Sequence, residues 1–496
     1  MPTPGARIRD YEVWGRLSVG GMSEVWLAKH AVLLVPVVIK TLRAALVQGD
    51  EERGFERMLN EARLMARIPS ARVVRAVDAG MYVDASGRSL GYVVQEYVDG
   101  IDLAELDRER RRALGIGLPL WFVCRMMHEL CLALQASHQT GVLHRDVKPS
   151  NVFGSPQTGI RLGDFGIAIP HREAAVPGEI SGTFKFMAPE QLRGDALDRG
   201  ADVYGAGATA FDLRYGRAPF ADVRSTLDPS SRPSMPAAST PAEAYFQTVL
   251  GGMLCKDRAA RASDLGENAR HFAALSRNLR PASRTSMTRP TKNSVRVGEC
   301  EITFEAGDIA QCSADAIVNS AHDHMRMRTG CGEALRRKGG DVLEELATRD
   351  GVRALGTCIA TEAGALDARW VLHAVSAWNE ISCVGRAAQR MFLLAENLGV
   401  RTLAIPALGT GASQVSYETC AMAIGTALRH HLALGGSRLR KVQLVLRDEA
   451  VRDRFRDVAI DALRDPEDLA YVHDVGLEAE GEVRPDAATH VRASEP

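Results

Sequence analysis

The chain has 496 residues, with 61 Lys and Arg against 62 Asp and Glu, a formal net charge of -1, 25% charged residues and 46% hydrophobic ones. That length exceeds what one hydrophobic core supports, so two or more domains are expected. The near-neutral balance excludes a polybasic nucleic-acid binder. The most apolar run, 31–39 with Pro36 inside it, falls far short of the roughly 20 apolar residues a membrane helix needs. The first ten residues show no apolar core of a secretory signal. Nine scattered cysteines without a C-x-x-C pair read as free thiols of a cytoplasmic protein, not as a zinc site or disulfide framework.

In chain order, 13–28 reads as strand, glycine turn and strand, with Leu17 before Gly20-Gly21 and Val25 after them. Such a turn lets backbone N–H groups approach phosphate oxygens, although a Gly-Gly hairpin is more often only a hairpin. Lys40 ends the β-branched run Val37–Lys40, and a helix over 51–67 carries Glu61. Taken singly, either would be a solvated surface charge. An H-R-D-x-K-x-x-N segment follows, His144 to Asn151, then Asp164-Phe165-Gly166 and Ala188-Pro189-Glu190. The polar stretch 224–240 reads as a surface loop, and 277–296, rich in Ser, Thr, Pro and Arg without an acid, as an interdomain linker.

This ordered motif set resembles the bacterial, eukaryotic-like serine/threonine protein kinases over about residues 10–276. The resemblance implies a two-lobed α+β fold that binds ATP and Mg²⁺. It makes Asp146 the group that orients the acceptor hydroxyl and takes its proton, and puts Lys148 over the γ-phosphate. Asn151 and Asp164 become the Mg²⁺ ligands and Lys40 and Glu61 an ion pair. Leu17, Gly20, Gly21 and Val25 belong to the nucleotide cradle, Gln95 to the back wall, and Glu96 to Val98 to the hinge that meets adenine. Asp202, Glu190 and Arg261 are implied anchors of the large lobe, Arg261 pairing with Glu190. Ser18 and Ser23 depart from the glycines of the family's loop, and 167–186 holds only Ser181 and Thr183 as hydroxyls.

From Val297 strands and helices alternate, which predicts a sheet between helix layers with ligand loops at the carboxyl ends of its strands. Strands are expected around 297–309, 314–321, 369–375, 402–408 and 441–446, and helices over 333–347 and 385–398. The loops Thr329-Gly330-Cys331-Gly332 and Ala407-Leu408-Gly409-Thr410-Gly411 suit phosphate, because glycine backbones and helix N-termini favour anions. With Gly307-Asp308-Ile309, Ala314 to Asn319 and Trp370 to Val375, these loops resemble the ADP-ribose-binding macro domains over about 297–464. The resemblance implies an α/β/α three-layer fold, with Asp308 and Ile309 at the adenine and Asn319 near the distal ribose. It also implies a diphosphate held by Gly330 and by Gly409, Thr410, Gly411 and Ala412. His373, inside an apolar strand, reads as a satisfied core residue. His322 stands where hydrolytic relatives have a second Asn.

The expectation is thus a serine/threonine kinase domain at 10–276, a linker at 277–296, a macro domain at 297–464 and an acidic disordered tail at 465–496. Its expected partners are protein substrates with Ser/Thr acceptors and ADP-ribosylated proteins. Two alternatives stay open: a catalytically weak kinase-like scaffold carrying an ADP-ribose reader, and a bifunctional kinase and ADP-ribosylhydrolase.

Overall fold

The computed structural model describes residues 4–19, 23–42, 51–83, 87–155, 159–165, 184–280, 287–378 and 381–464. The expected disordered tail, Gly20, Gly21, Gly166, Ser181 and Thr183 lie outside them.

The small lobe is a six-stranded antiparallel sheet in the order β1-β2-β3-β4-β6-β5. Its strands are β1 (Arg7–Ile8), β2 (Tyr11–Val19), β3 (Ser23–His30), β4 (Pro36–Leu42), β5 (Ala76–Val83) and β6 (Ser89–Glu96), and helix α1 (Glu51–Met65) packs beside β5 and β6. Alternation sorts the two faces. Trp26, Ala28, Val37 and Ile39 join one cluster with Tyr92 and Val94, while Val25, Leu27 and Val38 point the other way, as does Lys40.

The large lobe holds β7 (Ile101–Asp102), α2 (Leu103–Leu114), α3 (Leu120–Gln139), β8 (Val152–Ser155), β9 (Gly159–Leu162), α4 (Pro189–Arg193), α5 (Arg199–Tyr215), α6 (Val223–Leu227), α7 (Pro241–Met253) and α8 (Leu265–Leu279). Helix α3 is apolar nearly all round because α5 and α8 cover it, so its amphipathic pattern is weak.

The second half is built on an eight-stranded sheet in the order β10-β11-β12-β19-β18-β13-β15-β14. Its strands are β10 (Met287–Thr291), β11 (Ser294–Val297), β12 (Cys300–Ala306), β13 (Ala316–Ala321), β14 (Cys358–Glu362), β15 (Trp370–Val375), β18 (Thr402–Pro406) and β19 (Lys441–Leu446). The pairings from β12 through β15 are parallel, so those strands aim their carboxyl ends at one edge. β16 (Ala377–Trp378) and β17 (Ile381–Ser382) form a separate pair. Helices α11 (Val384–Asn397), α12 (Tyr417–Ala433) and α13 (Glu449–Leu463) cover one face and α9 (Gly330–Gly339) and α10 (Val342–Thr348) the other, which makes three layers.

Two expectations are corrected. The linker at 277–296 does not stand as drawn: α8 continues to Leu279, and 287–291 and 294–297 pair as a hairpin on the second sheet, so that domain begins before 297. Val295 and Val297, fully or nearly buried, drive this pairing. The single helix expected over 333–347 is two, broken at Gly340, whose φ of 97° no other residue type adopts cheaply.

Candidate functional site

The first site lies between the lobes. Lys40 shares its face of β4 with Val38, which aims the ammonium into the cleft, where Nζ lies 2.6 Å from Asp164 Oδ1 and 3.7 Å from Glu61 Oε1. Burial pulls the ammonium pKa down, but the charges of Asp164 and Glu61 outweigh it and hold Lys40 above its ordinary value. For Asp164 burial works upward, and the Lys40 charge and hydrogen bond reverse it. Burial pushes Glu61 up to about 7, only partly offset by Lys40.

The segment from His144 to Asn151 is fixed from beneath. Asp202 accepts N–H bonds from His144 at 2.8 Å and Arg145 at 2.7 Å, and lies 2.7 Å from His138 Nε2. His144 Nδ1 accepts from the Asp146 N–H at 3.2 Å and its Nε2–H donates to Gly163 O at 3.0 Å, which fixes the neutral tautomer. Burial lowers the His144 pKa further. Its ring sits 4.4 Å from that of Phe165, tying this segment to the one bearing Asp164. Arg145 and Asp164 both take left-handed backbone, φ 67° and 57°. For non-glycine residues that costs on the order of 1–3 kcal/mol each, a strain characteristic of functional sites.

Lys148 Nζ meets Asp146 Oδ2 at 2.7 Å, and Asn151 Nδ2 donates to Asp146 O at 2.8 Å and Oδ2 at 3.1 Å. With Nδ2 making those bonds, Asn151 Oδ1 and the Asp164 carboxylate are hard oxygen donors of the kind Mg²⁺ takes, although Lys40 already holds Asp164 Oδ1. Among the described residues no group of three or more His, Cys, Asp or Glu gathers as a metal cluster. Leu17 and Val25 share the Lys40 face of the small-lobe sheet, in one apolar cluster with Trp14, Leu27 and Val38. Glu96 turns its side chain toward Arg75 and Arg161, its N–H donates to Arg75 O at 3.0 Å, and Val98 packs on the large-lobe core. Gln95 is buried against Met65. The expected anchor is present: Arg261 grips Glu190 at 2.5 and 3.1 Å, both buried.

The second site lies at the carboxyl ends of the parallel strands. Asp308, exposed after β12, caps the next turn by accepting the Ala310 N–H at 2.9 Å, with Ile309 buried beneath. Gly330 opens α9 with φ 58° and Gly409 turns with φ 73°. Gly330, Gly411 and Ala412 are exposed, and a side chain at either glycine would meet open space. The Thr410 hydroxyl donates to Ala407 O at 3.3 Å.

Ser320 joins the two loops, a role no sequence pattern marked. Its N–H donates to Cys331 Sγ at 3.4 Å and its Oγ accepts the Gly409 N–H at 2.9 Å. Asn319 is 1% exposed, under the start of α9, its Nδ2 donating to His373 Nδ1 at 3.1 Å and its Oδ1 accepting from Cys331 Sγ at 3.6 Å. Its carboxamide therefore supports the loop from below. His322, part-exposed, accepts the His324 N–H.

A family model for the protein kinase domain matches residues 11–287, and one for the macro domain matches residues 318–424. The serine/threonine-protein kinase drp72 of Corynebacterium efficiens is 33% identical over 281 residues, covering 55% of this chain and 52% of that protein. Serine/threonine-protein kinase PknB of Mycobacterium leprae is 34% identical over 223 residues, covering 44% of this chain and 35% of that one. The chain thus spans about half or less of these relatives' length. A crystal structure of the Mycobacterium tuberculosis PknI kinase domain is 28% identical and covers 55% of this chain and 100% of that one, with a TM-score of 0.44. With more than half its length matched by the kinase model and a macro-domain match following, this chain belongs to the protein kinase family and carries a carboxyl-terminal macro domain.

Proposed function

We propose that the protein transfers the γ-phosphoryl group of ATP to Ser or Thr hydroxyls of protein substrates, and that its macro domain binds ADP-ribose or a related nucleotide, free or on ADP-ribosylated proteins. The observation that carries the first part is the convergence of Lys40, Asp146, Lys148, Asn151 and Asp164 on one cleft. Phosphoryl transfer through a loose transition state asks for positioning and charge neutralisation rather than covalent chemistry. Asn151 and Asp164 would hold Mg²⁺, which when bound neutralises phosphate charge. Lys40 fixes the phosphate oxygens near it, Asp146 orients the acceptor hydroxyl and takes its proton at a carboxylate oxygen, and Lys148 offsets charge on the transferred group. The assembled cleft favours this reading over an inert scaffold.

The macro-domain reading rests on Gly330 and Gly409 to Ala412 meeting through Ser320 where five parallel strands end. Asp308 and Ile309 supply the adenine end. The committed carboxamide of Asn319 favours binding over hydrolysis.

Radiolabelled ATP with a generic protein acceptor tests the kinase. Asp146→Asn should lower incorporation by about 100-fold or more; label that survives the substitution refutes the assignment. Calorimetry with ADP-ribose tests the macro domain. Absence of heat, or undiminished affinity in Asp308→Ala, refutes it.

A further inference from the structure

The face of the small-lobe sheet that carries Lys40 is covered along its adenine end by the other domain. Trp14, Leu17, Val25, Leu27 and Val38 form one apolar cluster with Met325, Leu355, Val375 and Cys383 of the macro domain. Leu355, 1% exposed, lies directly on the backbone of β2, where a Cβ built on Gly15 would come within 2.9 Å of its Cδ1. Leu17 is left 8% exposed, although as part of a nucleotide roof it should be open to a ligand.

A polar clamp follows the hinge beside this cluster. Asp99, three residues past Glu96, accepts the Gly385 N–H at 2.9 Å and the Arg386 N–H at 2.8 Å at the start of α11. Gln389 accepts the Ile101 N–H at 3.1 Å. Arg390 holds Glu105 through two bonds of 2.5 and 2.7 Å. Farther along, Arg110 Nη2 donates to Leu434 O at 3.0 Å and Gly435 O at 2.5 Å. These bonds join apolar contact, charge and helix dipole over one continuous surface.

We infer that the macro domain is an intramolecular plug of the kinase's nucleotide cleft: the loop bearing Leu355 and the start of α11 occupy the adenine end, and ATP must displace them. The inference rests on the kinase reading of Leu17, Val25 and the hinge. The phosphate end remains assembled, with Lys40 on Asp164 and Lys148 on Asp146. Control is therefore exerted on nucleotide entry and not on alignment of the catalytic groups. When only a fraction of molecules is undocked, apparent nucleotide affinity falls by that fraction.

The test uses the full chain and macro-side substitutions that touch none of the catalytic groups. Gly385→Ala places a Cβ 2.7 Å from Asp99 Oδ2 while adding a helix-favouring residue, so it breaks docking without unfolding α11. Leu355→Glu buries a charge against β2. Both should tighten binding of a fluorescent ATP analogue, and lower the ATP KM, by about tenfold or more, with kcat within roughly twofold. Arg390→Glu should behave likewise, and adding Glu105→Arg should restore the parent's weak affinity, an effect that mere loss of structure cannot produce. Analogue affinity within about twofold of the parent in Gly385→Ala and in Arg390→Glu overturns the plug. Because that readout needs no turnover, tighter binding without Asp146-dependent label would overturn the phosphoryl-transfer reading while leaving the nucleotide cleft and its plug standing.

Discussion

Buried in the middle of β15, His373 has both ring nitrogens occupied: Nδ1 accepts from Asn319 and Nε2–H donates to Thr361 Oγ1 at 2.9 Å. Burial lowers its pKa from 6.5 to about 4. The unfolded chain binds a proton more readily than the folded one between those values. The stability this residue contributes is complete above pH 6.5 and is lost as pH falls toward 4, on the order of 3 kcal/mol. Urea unfolding at pH 7 and pH 4 should show His373→Gln losing less stability on acidification than the parent, by about that amount; equal losses would refute it. An apolar strand was enough to identify His373 as a core residue. Its service to Asn319 was not legible, since a partner 54 positions away appears only when β13 and β15 pair. Ser320 was overlooked for a related reason: a strand hydroxyl has no spacing signature, and its value lies in the two loops it bridges.

On the kinase side the strand-turn-strand at 13–28, the run ending at Lys40 and the helix over 51–67 were legible, because each has a strong pattern of its own, and they match β2, β3, β4 and α1; the helices of the large lobe were not delimited from sequence. The pairing of Arg261 with Glu190 was legible too, yet only its burial sets its energy. Removing one partner of such a pair strands a charge, at about 3–5 kcal/mol. Arg261→Ala should therefore lower the kinase unfolding midpoint by roughly 10 °C in calorimetry, and a shift below about 3 °C would show that the pair is replaceable. What misled was the hairpin at 287–297. β10 is an edge strand whose residues are mostly exposed, and Arg289 and Pro290 on it are the kinds of residue that keep a sheet edge from pairing further. Edge protection and linker composition look alike in a sequence. β14, at the opposite edge, escaped because its Cys358–Glu362 run is short and only partly buried.

At the scale of the whole molecule, no composition or motif announces that the two domains share a face, since Asp99 and Gly385 stand 286 positions apart and each is unremarkable alone. The shared face lies next to the second site. Ala321 and Val375 end β13 and β15, and Met325, fully buried in the interface with a left-handed φ of 58°, sits on the segment that runs from β13 to Gly330. A nucleotide gripping Gly330 must act on the segment that presents Met325 to the small lobe. That backbone conformation costs about 1–2 kcal/mol and is offset by the docked packing, so a ligand that resets the segment weakens docking. Coupling of this kind is reciprocal and usually amounts to about 5-fold or more in affinity. Saturating ADP-ribose should then lower the ATP KM of the parent about fivefold and leave the undocked Gly385→Ala variant unchanged. In the converse titration, an ATP analogue should tighten ADP-ribose binding by the same factor. An ADP-ribose effect of equal size in parent and variant would place the coupling outside the interface.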